Sequence, residues 1–194
     1  MRHGETVWNS QGRWQGWQDS TLTELGLQQA SSAAEKLANC GATQLLTSDA
    51  GRARQTAAVI GERLGLTPLP AQALRERFYG EYEGLTSEEI DAKFPGTRYE
   101  AGRDLRETWR PIGGETLVEV GSRVLTFVRV TAAAFPGQSV IAVTHAGVLR
   151  VLDGIYSRES LDKIWHRVPP NCAIFVLQAN AAGDLRLVEH FCET

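Results

Sequence analysis

Ser139-Val140-Ile141-Ala142-Val143-Thr144-His145-Ala146-Gly147 is the stretch that decides the fold. Its short, β-branched apolar run reads as a buried strand over Ser139 to Thr144. His145-Ala146-Gly147 then opens a helix that runs through Leu152. Working outward, a helix over Thr116 to Phe135 precedes this strand, with Leu117, Val120, Val124, Phe127, Val128 and Thr131 on one side. Pro136-Gly137 ends that helix. Cys172 to Gln178 and Leu185 to His190 read as a hairpin around Ala181-Ala182-Gly183-Asp184.

Toward the amino terminus, Val7 to Thr21 has no apolar period and reads as a long loop. Thr21 and Glu24 have capping-box spacing for a helix to about Asn39, with Leu27, Ala30, Ala34 and Leu37 on its inner face and Gly41 closing it. Gln44 to Thr47 is a short strand. Ser48 is a suitable N-cap for a helix from Asp49 to about Leu64, ended by Gly65. Leu66 to Leu69 can form a second strand, and Thr86 to Phe94 a short helix stopped by Pro95-Gly96. Leu74 to Gly84 and Gly96 to Gly114 read as irregular. Strands alternating with helices imply an α/β fold: three layers, a mostly parallel central sheet, and helices on both faces. At 194 residues the expectation is one domain with a small cap region at about 77–113.

A net charge of −3 argues against a nucleic-acid partner, which favours a basic face. No apolar run approaches the roughly 18 residues of a membrane span, and no signal peptide is recognisable. Cys40, Cys172 and Cys192 are odd in number and widely spaced, which fits thiols in a reducing cytoplasm and gives no structural zinc site.

Two histidines sit where chemistry can happen. His3, in Arg2-His3-Gly4, and His145 both lie at junctions beside glycine, and such junctions gather at the carboxyl edge of a parallel sheet. Alone, either reads as a structural histidine; two at equivalent junctions favour a site. Arg52 falls in the first turn of a helix, against the dipole, unless it faces a bound anion. Glu76 lies between Arg75 and Arg77, a solvated charge cluster or a proton donor toward a leaving oxygen. Gly113-Gly114-Glu115-Thr116 reads first as a helix start.

Four separated segments together resemble one family. Arg2-His3-Gly4-Glu5-Thr6 with Trp8-Asn9, Ser48-Asp49 through Arg52 to Gln55-Thr56-Ala57, Glu76 in its Leu-x-Glu setting, and Thr144-His145-Ala146-Gly147 look like the histidine phosphatase superfamily, which includes cofactor-dependent phosphoglycerate mutases. The resemblance spans nearly the whole chain and implies a phosphoglycerate mutase-like fold. It implies His3 as the nucleophile that becomes phosphohistidine, with Arg2, Arg52 and His145 around the phosphoryl group and Glu76 as proton donor. Asn9, Gln15 and Gly16 match positions lining the phosphate pocket. Arg77 and Tyr79 match substrate contacts of the mutase branch, and Ala146 and Gly147 complete the His145 segment. The family also carries a hydrophobic strand before Arg-His-Gly, whereas only Met1 precedes Arg2 here; the expectation is that the natural protein starts several residues earlier.

The resemblance implies a metal-independent, cytoplasmic phosphatase acting on a small phosphorylated metabolite, with no cofactor. The alternative is a phosphoglycerate mutase, which would use 2,3-bisphosphoglycerate. The mutase branch adds a longer basic insertion after the Glu segment. Lys93, Arg98, Arg103, Arg106 and Arg110 do not match it closely, and Glu76-Arg77-Phe78-Tyr79-Gly80 through Gly84 looks like the broad-specificity phosphatase branch. A phospho-ligand binder without activity would be expected to have lost a nucleophile or a pocket arginine, and none is missing. Oligomeric state is not legible, a homodimer being one option.

Overall fold

The computed structural model describes residues 1–97, 108–157, 168–179 and 184–191. In chain order the elements are α1 (Val7–Ser10), α2 (Glu24–Leu37), β1 (Ala42–Thr47), α3 (Gly51–Leu64), β2 (Pro68–Pro70), α4 (Ser87–Lys93), α5 (Leu117–Ala134), β3 (Ser139–Val143), α6 (Ala146–Ser157), β4 (Ile174–Ala179) and β5 (Leu185–Phe191). β2, β1 and β3 form a parallel sheet in that order, while β4 and β5 pair as an antiparallel hairpin. The expected α/β class holds.

Met1 to His3 run between β3 and β4. The Met1 carbonyl accepts from the Thr144 N–H, the His3 N–H donates to the Thr144 carbonyl, and the Arg2 N–H donates to the Ala173 carbonyl. Arg2 pairs with Thr144 in parallel. The three residues thus tie the parallel sheet to the hairpin and fix the backbone of His3 on both sides.

Two apolar clusters form the core. One joins Ala30, Ala33 and Ala34 of α2 and Ala53, Ala57 and Ile60 of α3 to Leu45, Ile141 and Val143. The other joins Leu117, Val120 and Val124 of α5 to Val148, Val151 and Leu152 of α6. Ile174 packs on the first and Leu177 on the second, as alternation along β4 requires for opposite faces. Among the described residues no helix is long and apolar enough to cross a membrane.

Several local expectations are corrected. Val7–Ser10 is a helical turn, not loop; Thr6 caps it in a reciprocal box with Asn9, a signal too short to carry a period. Thr23, not Thr21, caps α2 by accepting from the Gly26 N–H. Leu27 is exposed, and the inner face of α2 is Gly26, Ala30, Ala33 and Ala34. The Arg2–Glu5 segment crosses that face so closely that a Cβ on Gly4 or Gly26 would overlap the other segment's backbone. α3 starts at Gly51 with no side-chain cap; Ser48 turns to His145 instead. β2 lies at Pro68–Pro70, because the Leu66 N–H still closes the α3 terminus on the Gly61 carbonyl. α6 extends past Leu152 to Ser157.

Candidate active site

A cavity of about 420 Å³ opens at the carboxyl ends of the parallel strands, lined by Arg2, His3, Asn9, Gln15, Gly16, Arg52, Glu76, Tyr79 and Ala146 among others. His3, Arg52, Glu76 and His145 come from four separate parts of the chain. The strand-to-helix junctions bring them together, as the α/β topology dictates.

The His3 ring is buried, and its Nδ1 lies 2.7 Å from the Gly4 carbonyl. A carbonyl only accepts, so in the neutral ring Nδ1 carries the proton and Nε2 holds the lone pair. Burial first, then the charges of Arg52 and Arg2, hold this imidazole well below the usual histidine range. The loop is pinned from several sides. The Gly4 N–H donates to Thr56 Oγ1 at 3.0 Å, and the His3 carbonyl accepts from Asn171 Nδ2 at 3.1 Å and from the Cys172 N–H at 3.2 Å. Cys172 takes a left-handed φ of 60°, an uncommon conformation that turns its N–H toward this carbonyl.

His145 packs edge-on against His3, with ring centroids 5.2 Å apart. Its Nε2 meets Ser48 Oγ at 2.8 Å, and its Nδ1 is buried without a hydrogen-bond partner. Burial, then Arg52 and His3, also keep this ring neutral well below the usual range.

Both site arginines are buried. Arg2 Nη1 donates to the Pro169 carbonyl at 2.6 Å, and burial pushes its pKa down to about 10. Arg52 Nη2 donates to the Gly16 carbonyl at 2.7 Å, and its Nη1 donates to the Gln18 carbonyl and to Asp19 Oδ1, both at 2.8 Å. The buried Nε of each guanidinium has no hydrogen-bond partner. Two buried guanidinium groups beside one cavity suit an anion there.

The Glu76 carboxylate accepts from the Arg77 N–H at 2.8 Å and from the Gly147 N–H at 3.1 Å near the start of α6. A Cβ on residue 147 would overlap this carboxylate, so the glycine gives it room.

Asn9, Gln15, Gly16, Tyr79 and Ala146 line the cavity, and Gly147 meets it only through Glu76. Arg77 does not. It is fully buried behind the Glu76 loop, donating to the Glu115 carbonyl at 2.7 Å and the Trp109 carbonyl at 2.6 Å, with its guanidinium over the Trp109 ring. Arg75 turns away into a bidentate pair with Asp49. Glu115 is more than a helix start, since it accepts from the Phe78 N–H and pairs with Arg123. Arg98, Arg103 and Arg106 of the expected cap lie outside the described residues. Lys93 lies over the Phe94 ring and Arg110 pairs with Glu119, and neither lines the cavity.

Sequence reasoning missed Arg13, Trp14, Arg150 and Val168, which also line the cavity. Arg13 was legible in principle, two residues before Gln15 in the same loop. Arg150 follows Ala146 by four residues and therefore shares its helix face. Val168 carries no local signal.

The histidine phosphatase superfamily (branch 1) matches residues 1–191. The chain belongs to this superfamily. It is 38% identical over 160 residues to the glucosyl-3-phosphoglycerate phosphatase of Mycobacterium tuberculosis, covering 78% of this chain and 71% of that protein. A solved structure of a mycobacterial glucosyl-3-phosphoglycerate phosphatase complexed with VO3 superimposes with a TM-score of 0.85 at 33% identity, over 100% of this chain and 96% of that one. A 2,3-bisphosphoglycerate-dependent phosphoglycerate mutase of a Methylobacterium is also similar, 34% identical over 187 residues, covering 87% and 86%. Within the superfamily the phosphatases fit better, and the chain is a phosphoric monoester hydrolase.

Proposed function

We propose that the cavity hydrolyses small phosphomonoesters through a phosphohistidine on His3. His3 Nε2 attacks phosphorus while the leaving oxygen takes a proton from Glu76. Water then gives a proton back to the Glu76 carboxylate, attacks the phosphohistidine and releases inorganic phosphate. Splitting the displacement into two steps lowers each barrier. Arg2, Arg52 and His145 stabilise the charge on the phosphoryl oxygens, which is where most of the acceleration of phosphoryl transfer arises. Asn9, Gln15, Gly16 and Ala146 shape the phosphoryl end, and Tyr79 the leaving-group end. No metal or cofactor takes part in this scheme.

The observation that carries the reading is the 2.7 Å approach of His3 Nδ1 to the Gly4 carbonyl, which leaves Nε2 as the free nitrogen beside two buried arginines. Substrates are small phosphorylated metabolites, as the name of the mycobacterial phosphatase says of that enzyme. The mutase reading has one observation in its favour, the similarity to the Methylobacterium mutase. Incubation with 3-phosphoglycerate separates the two. Released inorganic phosphate without 2-phosphoglycerate supports hydrolysis, and 2-phosphoglycerate formed on addition of 2,3-bisphosphoglycerate supports the mutase.

A further inference from the structure

Arg52 is held by a loop rather than by its own helix. The loop carbonyls it grips, Gly16 and Gln18, belong to a turn with no regular hydrogen-bond ladder of its own. One carboxylate holds that turn. Glu83 Oε1 accepts from the Trp17 N–H at 2.8 Å and from the Tyr79 N–H at 3.0 Å, and its Oε2 accepts from the Gln18 N–H at 3.0 Å. Gly16 has a φ of +56°, and a Cβ there would overlap the Glu83 carboxylate. Only glycine allows both the turn and the approach.

The connection between Glu83 and Arg52 is a single peptide unit. The Gly16 carbonyl and the Trp17 N–H belong to the same amide. Arg52 binds its oxygen and Glu83 its N–H, so cation and anion polarise the amide in the same sense and each bond strengthens the other. The same carboxylate also fixes the Tyr79 backbone, which ties the far wall of the cavity to this turn.

We infer that Glu83 is a positioning residue for the reaction: acting through the Gly16–Trp17 amide and the Gln18 backbone, it sets the Arg52 guanidinium against the phosphoryl group. This rests on Arg52 contacting phosphoryl oxygens, as in the function proposed above. Glu83 never touches the substrate. Replacing its carboxylate leaves Arg52 paired with Asp19 but loosens the Gly16 and Gln18 carbonyls that set the guanidinium, and misplacement of a charged group by about 1 Å can cost on the order of 100-fold in rate.

The test is a double-mutant cycle of Glu83→Gln and Arg52→Ala, read by kcat/KM on an aryl phosphate and by competitive inhibition with orthovanadate. In the wild-type background, Glu83→Gln should lower kcat/KM and weaken vanadate binding by about 10- to 100-fold. In the Arg52→Ala background its effect should shrink to less than about 3-fold, because non-additivity marks residues that act as one unit. Gly16→Ala, which displaces the carboxylate from the other side, should show the same coupling and serves if Glu83→Gln does not fold. An equal factor in both backgrounds, or no loss from Glu83→Gln at all, overturns the inference about Glu83 while leaving the site intact. If Arg52→Ala alone changes neither readout, the reading of Arg52 falls and the inference falls with it.

Discussion

His3 Nδ1 lies 2.7 Å from the carbonyl oxygen of Gly4, its own neighbour in the chain. A ring that spends one nitrogen on a carbonyl has a defined tautomer and only one nitrogen left to attack. The Gly4 N–H is meanwhile held by Thr56 Oγ1, which donates in turn to the Arg52 carbonyl at 2.9 Å. The nucleophile's loop and the helix carrying Arg52 are therefore joined by one hydroxyl.

The two neutral histidines make stability depend on pH. In the folded chain His145 stays neutral well below the usual range, whereas in the unfolded chain it titrates near 6.5. As pH falls below about 6.5 the unfolded state takes up the proton first, so this contribution is full above 6.5 and is lost on acidification. His3 acts in the same direction. Urea unfolding at pH 7.5 and 5.5 should show wild type losing up to about 1.4 kcal/mol per pH unit per histidine. His145→Asn should have the shallower dependence. Equal slopes for the two proteins would contradict the assignment.

Gly147→Ala separates activity from stability. Alanine is favoured over glycine in a helix by about 1 kcal/mol, yet the new methyl takes the space of the Glu76 carboxylate. The carboxylate must move and lose its bond from the Gly147 N–H. We expect kcat to fall about 10- to 100-fold while the unfolding midpoint moves little, because the cost falls on Glu76 and not on the helix. Thermal unfolding and initial rates on one preparation check this, and an unchanged kcat contradicts it.

Arg77→Ala should behave oppositely. It leaves the half-buried Glu115 and Trp109 carbonyls without their donor and strips the Trp109 ring of its cation, a loss of about 2–4 kcal/mol. Chemical denaturation reads that loss. A rise in KM with unchanged stability would return Arg77 to the substrate contacts that the sequence motif suggested.

The legible parts of the fold were those with a local cause. The run Val140 to Val143 before His145 marked the strand, the junction and the site residue together, because one face is buried and the other half-buried, which leaves a continuous apolar signature. Gly65 marked the end of α3 for an equally local reason, its φ of 69°. Leu27 misled because the face α2 buries is set by the segment crossing Gly26, which no helical period records. Arg77 misled for a similar reason. The motif names the residue, but only the return of Trp109 and Glu115 decides which way its side chain turns. Arg13 shares its loop with Gln15 and Arg150 its helix face with Ala146, but how that loop and that helix meet at the cavity is settled only by the fold.

The proposed mechanism places a phosphoryl group on His3 during turnover. Rapid mixing with a ³²P-labelled phosphomonoester, followed by denaturation in base, traps an acid-labile and base-stable label, and peptide mapping locates it. Label is expected on the peptide containing His3, phosphorylated at Nε2, and none in His3→Ala, whose phosphate release should fall by at least about 1,000-fold. Label elsewhere in the chain, or turnover retained by His3→Ala, would contradict it.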